Sequence, residues 1–473
     1  MINSRLRLGS IFALRPIFNW RSGVFLLMLG IQFELLAAVH CVRSGASGTG
    51  NGQDWANAFP ALPSTLTRGD TYYIADGAYA AYTFDDAISG TTLITIKKAT
   101  VADHGTSTGW SDTYGDGQAT WGHALQFYTD YYLFDGASGS GAATNSYGFH
   151  VVATTPTIDQ KFVWMGGGTG VDPSFITIAH TMFIAPTNDV EKIGIGSQSQ
   201  SYQTNTIVHS CYFVRMQNAF DLKGAVNCNF ISNYVADGFS SALHHGEQIN
   251  FGLRGTQPAS NIVVSYNIFT NCTGTGVIIG NNAAANEFAA TDVFIYGNVF
   301  DNCTSGGNGI IATTTDGYWK NVHVIGNTFA GGSTLWFSDC QGASSPTVKA
   351  NSTGFYLTNN LIYNRSAAIG DNADDTLNHD YSSFFDCTSI PTIINGQTAS
   401  GSPFLSTTDG LWALASDTSA RLALGSPFNA DALGATLTSS RGWNQYSGAA
   451  STTYRGFSFG PGVQLIGQGS VRQ

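Results

Sequence analysis

Between Phe175 and Ile369 a short phrase of alternating apolar and polar residues recurs: "FITIAHTMF", "TIVHSCYF", "CNFISNYV", "IVVSYNIF", "VFIYGNVF", "VHVIGNTF" and "FYLTNNLI". Aligned on Thr181, Cys211, Asn233, Asn267, Asn298, Asn327 and Asn360, the phrases are spaced by 30, 22, 34, 31, 29 and 33 residues. A period of that size marks a solenoid. Three positions before the shared residue stand Ile178, Val208, Phe230, Val264, Ile295, Val324 and Leu357. Five before it stand Ile176, Thr206, Cys228, Ile262, Val293, Val322 and Phe355, and two after it Phe183, Phe213, Val235, Phe269, Phe300, Phe329 and Ile362. A two-residue step is strand alternation with one face turned inward. A second short apolar run closes each unit, as in Ala219 to Leu222, Ile249 to Leu253, Val277 to Ile279, Ile310 to Ala312 and Leu335 to Phe337. No unit holds a helical period, so the pattern predicts an all-β chain of stacked coils, a right-handed parallel β-helix.

A solenoid grows along one axis and can absorb most of 473 residues in one domain. The expected organisation is a signal peptide or membrane-proximal N-terminus over 1–40, a β-helix with its N-terminal cap over 41–435, and a C-terminal cap or tail over 436–473. Arg5, Arg7, Arg15 and Arg21 precede the apolar run "VFLLMLGIQFELLAAV", which is secretory-signal grammar and too short for a confident span. The mature chain is therefore expected outside the cytoplasm, secreted or at the cell surface, without a membrane span. From Cys41 the chain reads "CVRSGASGTGNGQDWANAFPALPSTLTRGDTYYIADGAY". Here Trp55, Ala58, Phe59, Leu62 and Leu66 give an expected capping helix an apolar side over the first coil.

Composition narrows the partners. Charged residues make up 11% of the chain and the net charge is -11, so nucleic acid, which asks for a basic stripe, is not an expected partner. A polysaccharide is: a neutral glycan, or an acidic one bridged by a cation. No cofactor is fixed by the sequence, and calcium is the candidate cation. The seven cysteines are odd in number, and Cys272 and Cys303 share one offset, as expected of small buried residues stacked in neighbouring coils.

The Asn column itself reads as structural, because stacked amides can bond from coil to coil about 4.8 Å apart. The longest interval, between Asn233 and Asn267, holds "DGFSSALHHGEQINFGLRGTQPAS". With Ile249 and Phe251 turned inward, Gln248 and Asn250 should point out, and Asp221 and Lys223 should point out one coil below. His244, His245, Glu247 and Arg254 bracket the same strand, gathering charge in a chain otherwise poor in it. Such a set suits β-elimination on a uronate. Arg254 or Lys223 would be base or charge neutraliser, His244 or His245 base or proton donor, and Glu247 a cation ligand or orienter. Asp221, Gln248, Asn250 and Trp336 are the expected substrate-binding residues. The alternatives are glycan binding without catalysis and a polar lid.

The opening phrase with its "W-x-x-A" and "R-G-D-T-Y-Y-I-A-D-G-x-Y" elements, and the later "G-S-P" in "LALGSPFNADALG", resemble secreted bacterial proteins of the pectate-lyase-like superfamily. The resemblance spans roughly residues 41 to 435 and implies the β-helix and a glycan substrate. The "NTD", "DD" and "GHG" series of the polygalacturonase type is absent in that order. Glu247 and Arg254 follow only loosely the lyases resembling chondroitinase B and alginate lyase, and lack their intervening Lys and later "RHG"-like element. A non-catalytic surface protein or adhesin of the same fold is the alternative reading.

Overall fold

The computed structural model describes residues 37–153, 160–167, 171–186, 192–197, 202–240, 246–252, 259–274, 276–281, 288–304, 311–313, 318–332, 337–338, 353–365, 377–390, 394–405 and scattered positions from 412 to 442. They fall within one compact unit, Ala37–Gln473, and the expected signal region lies almost wholly outside them. Every ladder between strands is parallel, and the strands form three sheets of 14, 12 and 9 described members. A single coil shows the plan: Asn229–Ile231 in the first wall, Tyr234–Ala236 in the second and Ile249–Gly252 in the third, before Ala259–Ser265 returns to the first. No helix of the described residues is long and apolar enough to cross a membrane.

The sequence columns are the register of this structure. Ile178, Val208, Phe230, Val264, Ile295, Val324 and Leu357 are successive partners in the first wall. Phe183, Phe213, Val235, Phe269, Phe300, Phe329 and Ile362 are partners in the second. All are buried in one continuous core. Because parallel in-register strands place like side chains over one another, the phenylalanines stack: Phe300 lies 4.7 Å from Phe269 and 5.0 Å from Phe329, with planes within 8°.

Between first and second walls the chain bends at the Asn column. The residue just before it, His180, Ser210, Ser232, Tyr266, Gly297, Gly326, Asn359 and Tyr381 in turn, has a positive φ of 48° to 60°. That left-handed step is the bend, and the following Asn pays its hydrogen-bond cost: Asn233, Asn267, Asn298 and Asn327 each donate their backbone N–H to the Oδ1 of the next Asn at 2.8 to 3.0 Å. Their Nδ2 groups donate to the carbonyls of Val208, Phe230, Val264 and Ile295. The structural reading of the column holds.

The expected capping helix does not form. Residues 51–66 are turns and bends, and the described residues contain only two short 3-10 turns, Asp112–Tyr114 and Thr144–Ser146. The backbone N–H groups there bond at long range instead of four residues back: Trp55 N–H to Thr108 O at 3.0 Å and Phe59 N–H to Cys41 O at 2.9 Å. Trp55, Ala58, Leu62 and Leu66 are nonetheless buried, so the apolar pattern is satisfied without helical geometry. At the other end the chain packs back along the outside. Phe404, Trp412 and Leu414 join Val263, Tyr266 and Tyr296, and the Arg441 guanidinium donates to Ser382 O at 3.0 Å and Asn395 O at 2.9 Å. Cys272 and Cys303 are buried free thiols, as their shared offset suggested.

Candidate functional site

The third wall carries the interval that departs from the repeat. Its strands include Leu125–Phe127, Gln160–Met165, Lys192–Ser197, Asn218–Lys223, Ile249–Gly252 and Val277–Asn281. One inward column runs Val163, Ile195, Phe220, Ile249, Val277, all buried. Strand alternation then sets the neighbouring column, Gln126, Trp164, Gly196, Asp221 and Asn250, on the outer side. Asp221 and Asn250 are direct partners, as are Lys223 and Gly252, which sets Asp221 and Lys223 one coil below, as expected from sequence.

Exposure corrects part of that expectation. Gln248 is 0% exposed: its Nε2 donates to Gln217 O at 3.0 Å and Gly246 O at 3.2 Å, and its backbone carbonyl takes the N–H groups of Ala219 and Phe220. It is a brace between coils, not a surface contact, because it precedes the strand and turns into the bend where Gly238 leaves room for it. A Cβ on Gly238 would stand 2.4 Å from the Gln248 amide. Glu247 is also buried, and its carbonyl accepts from Asn218 Nδ2 at 2.6 Å. Asn250 is 4% exposed, and its Oδ1 receives no hydrogen bond. His244, His245, Arg254 and Trp336 lie outside the described residues, and of Lys223 only the backbone is described.

Sequence reasoning passed over the lower part of the same wall. The Lys161 ammonium sits 4.1 Å from the centroid of the Trp164 ring, a cation–π pair on the coil two below Asp221. The stem of Lys161 lies on Gly196, where a Cβ would come within 2.6 Å of Lys161 Cε. Tyr128 covers Gly167 in the same manner and donates its hydroxyl to Gln126. The signal was present as Lys and Trp three residues apart in "KFVW", but this stretch lies before the aligned repeats. Further in, Lys192 is fully buried at a strand start, and burial lowers its pKa. His123 is likewise lowered, first by burial and further by the positive charge of Lys192. For calcium, no group of three or more His, Cys, Asp or Glu side chains able to hold a metal occurs among the described residues.

No family model matches the chain, and no curated protein matches it. Among solved structures, a PL6 family alginate lyase, AlyGC, is 11% identical with a TM-score of 0.41, over 77% of this chain and 54% of that one. This chain thus spans about half the length of that enzyme. Pectate lyase Pel9A is 14% identical with a TM-score of 0.38, over 87% and 97% of the two chains. PfbA, a surface adhesin of Streptococcus pneumoniae, is 11% identical with a TM-score of 0.32, over 70% and 91%. At these identities no residue role carries across from them.

Proposed function

We propose that this chain is a secreted or cell-surface protein, a single right-handed solenoid, that works on polysaccharide along its third wall as a lyase. The observation that carries the reading is the outward column in which Asp221 and Asn250 are direct partners, two coils above the Lys161–Trp164 pair. An extended glycan laid along such a column passes one residue per coil, about 4.8 Å apart, with a ring face and a cation at one end and the Asp221 carboxylate toward the other. The bracketing residues of the long interval complete the chemistry. A cationic side chain, Arg254 or Lys223, neutralises the uronate carboxylate. His244 or His245 takes the C5 proton; electrons from that C–H bond form the C4–C5 double bond as the C4–O bond breaks, and the leaving oxygen gains a proton from the other acid. No step is assigned to calcium.

Binding without catalysis is the second reading. The burial of Glu247 and Gln248 favours it, since neither can touch a ligand as packed. One experiment separates the two: incubate the protein with alginate, pectate and a glycosaminoglycan, and follow the ultraviolet absorbance of the unsaturated product alongside binding. Product that disappears in Asp221→Ala and Arg254→Ala, with melting unchanged, supports the lyase. Binding with no product on any acidic glycan sinks it in favour of the second reading.

A further inference from the structure

The second wall has its own hollow, built by a gap in a side-chain ladder. Its outward column runs Thr270, Asp301, Ala330, Tyr363 through successive coils. The next position in each turn is left-handed, and there Asn302 Nδ2 donates to Asn271 Oδ1 at 2.8 Å. One coil on, the rung is Gly331, with φ 58° and no side chain, before Asn364 resumes the column. Ala330 and Gly331 therefore leave a recess between Asp301 on one side and Tyr363 with Asn364 on the other. The C-terminal segment closes it: Phe404 packs edge-on to Tyr363 at 5.7 Å and to Trp412 at 5.0 Å, and Ser402 joins the rim. The resulting groove has a volume of about 440 Å³, within the usual span of small-ligand sites.

Its chemistry is specific. The Asp301 carboxylate is half-buried and accepts the Thr270 hydroxyl at 3.2 Å; burial raises its pKa. Trp412 is 2% exposed, and its indole N–H has no acceptor. The lining residues carry one carboxylate, an amide, two hydroxyls and three aromatic rings; behind them the buried Arg365 guanidinium donates to Ala330 O at 3.4 Å and opposes the effect of burial on Asp301. Such a lining offers the Asp301 carboxylate to hydroxyl donors and ring faces to the C–H side of a sugar.

The geometry points to a second glycan site here, for a neutral sugar unit, separate from the third wall and independent of any lyase activity. The test is titration calorimetry of the full chain with neutral hexasaccharides (α- and β-gluco, β-manno and β-galacto) and with an oligouronate. At least one neutral hexasaccharide binds the wild type, and Trp412→Phe and Asp301→Asn each weaken it by about tenfold or more with unchanged melting, while Asp221→Ala does not. Gly331→Asn, which restores the missing rung in a conformation Asn tolerates, abolishes that binding without loss of stability. Silence of the whole neutral panel at millimolar concentration overturns the proposal. So does neutral-sugar binding that all three groove variants retain at wild-type strength.

Discussion

The amide oxygen of Asn298 accepts both the backbone N–H and the side-chain N–H of Asn267, each at 2.9 Å. Asn298 in turn donates its own Nδ2 to Val264 O, Tyr296 O and Asn327 Oδ1. Each rung of the ladder is thus fixed by its two neighbours, and no water is needed to satisfy the bend.

Replacing Asn298 with Ala leaves the Asn267 N–H buried without its acceptor and takes a donor from Val264 O, while Tyr296 O keeps the Tyr266 N–H and Asn327 Oδ1 keeps the backbone N–H of residue 298. At roughly 1–3 kcal/mol for an unsatisfied buried group, the loss of stability is expected to be about 1–3 kcal/mol in denaturant unfolding. Asn298→Asp is expected to cost more than Ala. It keeps the acceptor but sets a carboxylate against Val264 O and Asn327 Oδ1, in a site with no compensating cation bonded to Asn298. If Asp proves milder than Ala, the donor half of the ladder is not what holds the bend.

On the third wall, Asn250→Asp would stand a second carboxylate on the strand directly beside Asp221, about 4.8 Å away. Like charges in register destabilise by up to about 1 kcal/mol even in the open, and Asn250 is covered. The variant should melt lower than wild type at pH 7 and regain part of the difference near pH 4, where one carboxyl protonates. Asn250→Ser, with no charge, should show no such recovery.

How much of this was legible follows from what repeats. The inward columns of the first and second walls were readable because identical chemistry recurs at fixed offsets, and their alignment is the observed register, from Ile178 to Leu357 and from Phe183 to Ile362. That Asp221 lies one coil below Asn250 was readable from the second apolar run of each unit, though not which residues pair. Gln248 was misread because alternation was extended one residue beyond the strand, into a bend where the side chain turns back under Gly238. The capping helix was misread because an apolar stripe was taken for helical geometry, whereas the Trp55 and Phe59 amides are claimed by distant carbonyls. The second-wall groove had no sequence signal of its own. It depends on the C-terminal segment folding back beside a single missing side chain, which no local pattern encodes.

The stacked phenylalanines of the second wall offer a local probe. Phe300 lies between Phe269 and Phe329 with its plane within 8° of both. Its removal as Phe300→Ala opens a cavity that rigid strands on either side cannot close, at an expected cost of about 3–5 kcal/mol. Because solenoid coils interact with their neighbours, the loss should appear first as increased hydrogen exchange in coils adjoining Val299–Asp301. Exchange unchanged there, with loosening only at the chain ends, would contradict a nearest-neighbour stack.

The acid limit of stability should be set in part by His209. Burial pushes its pKa down to about 4, with a further push from neighbouring His180 and an opposing pull from Asp135. An unfolded His titrates near 6.5, so the unfolded chain takes up the proton first as pH falls. The stabilisation is therefore complete above about pH 6.5 and is lost between there and about pH 4, amounting to about 3 kcal/mol. Asp135 acts lower on the scale. Burial alone would raise its pKa, but the 2.7 Å hydrogen bond to His180, the charge of that imidazole and the Ala137 N–H outweigh burial and leave it lowered. Its contribution is present above the ordinary carboxylate range and disappears only as pH drops through its own lowered value. Melting temperature should thus fall from pH 7 toward pH 4.5 in the wild type, and His209→Gln, which cannot protonate, should flatten that slope while Asp135 is still ionised. An equal slope in wild type and variant would remove His209 as its source.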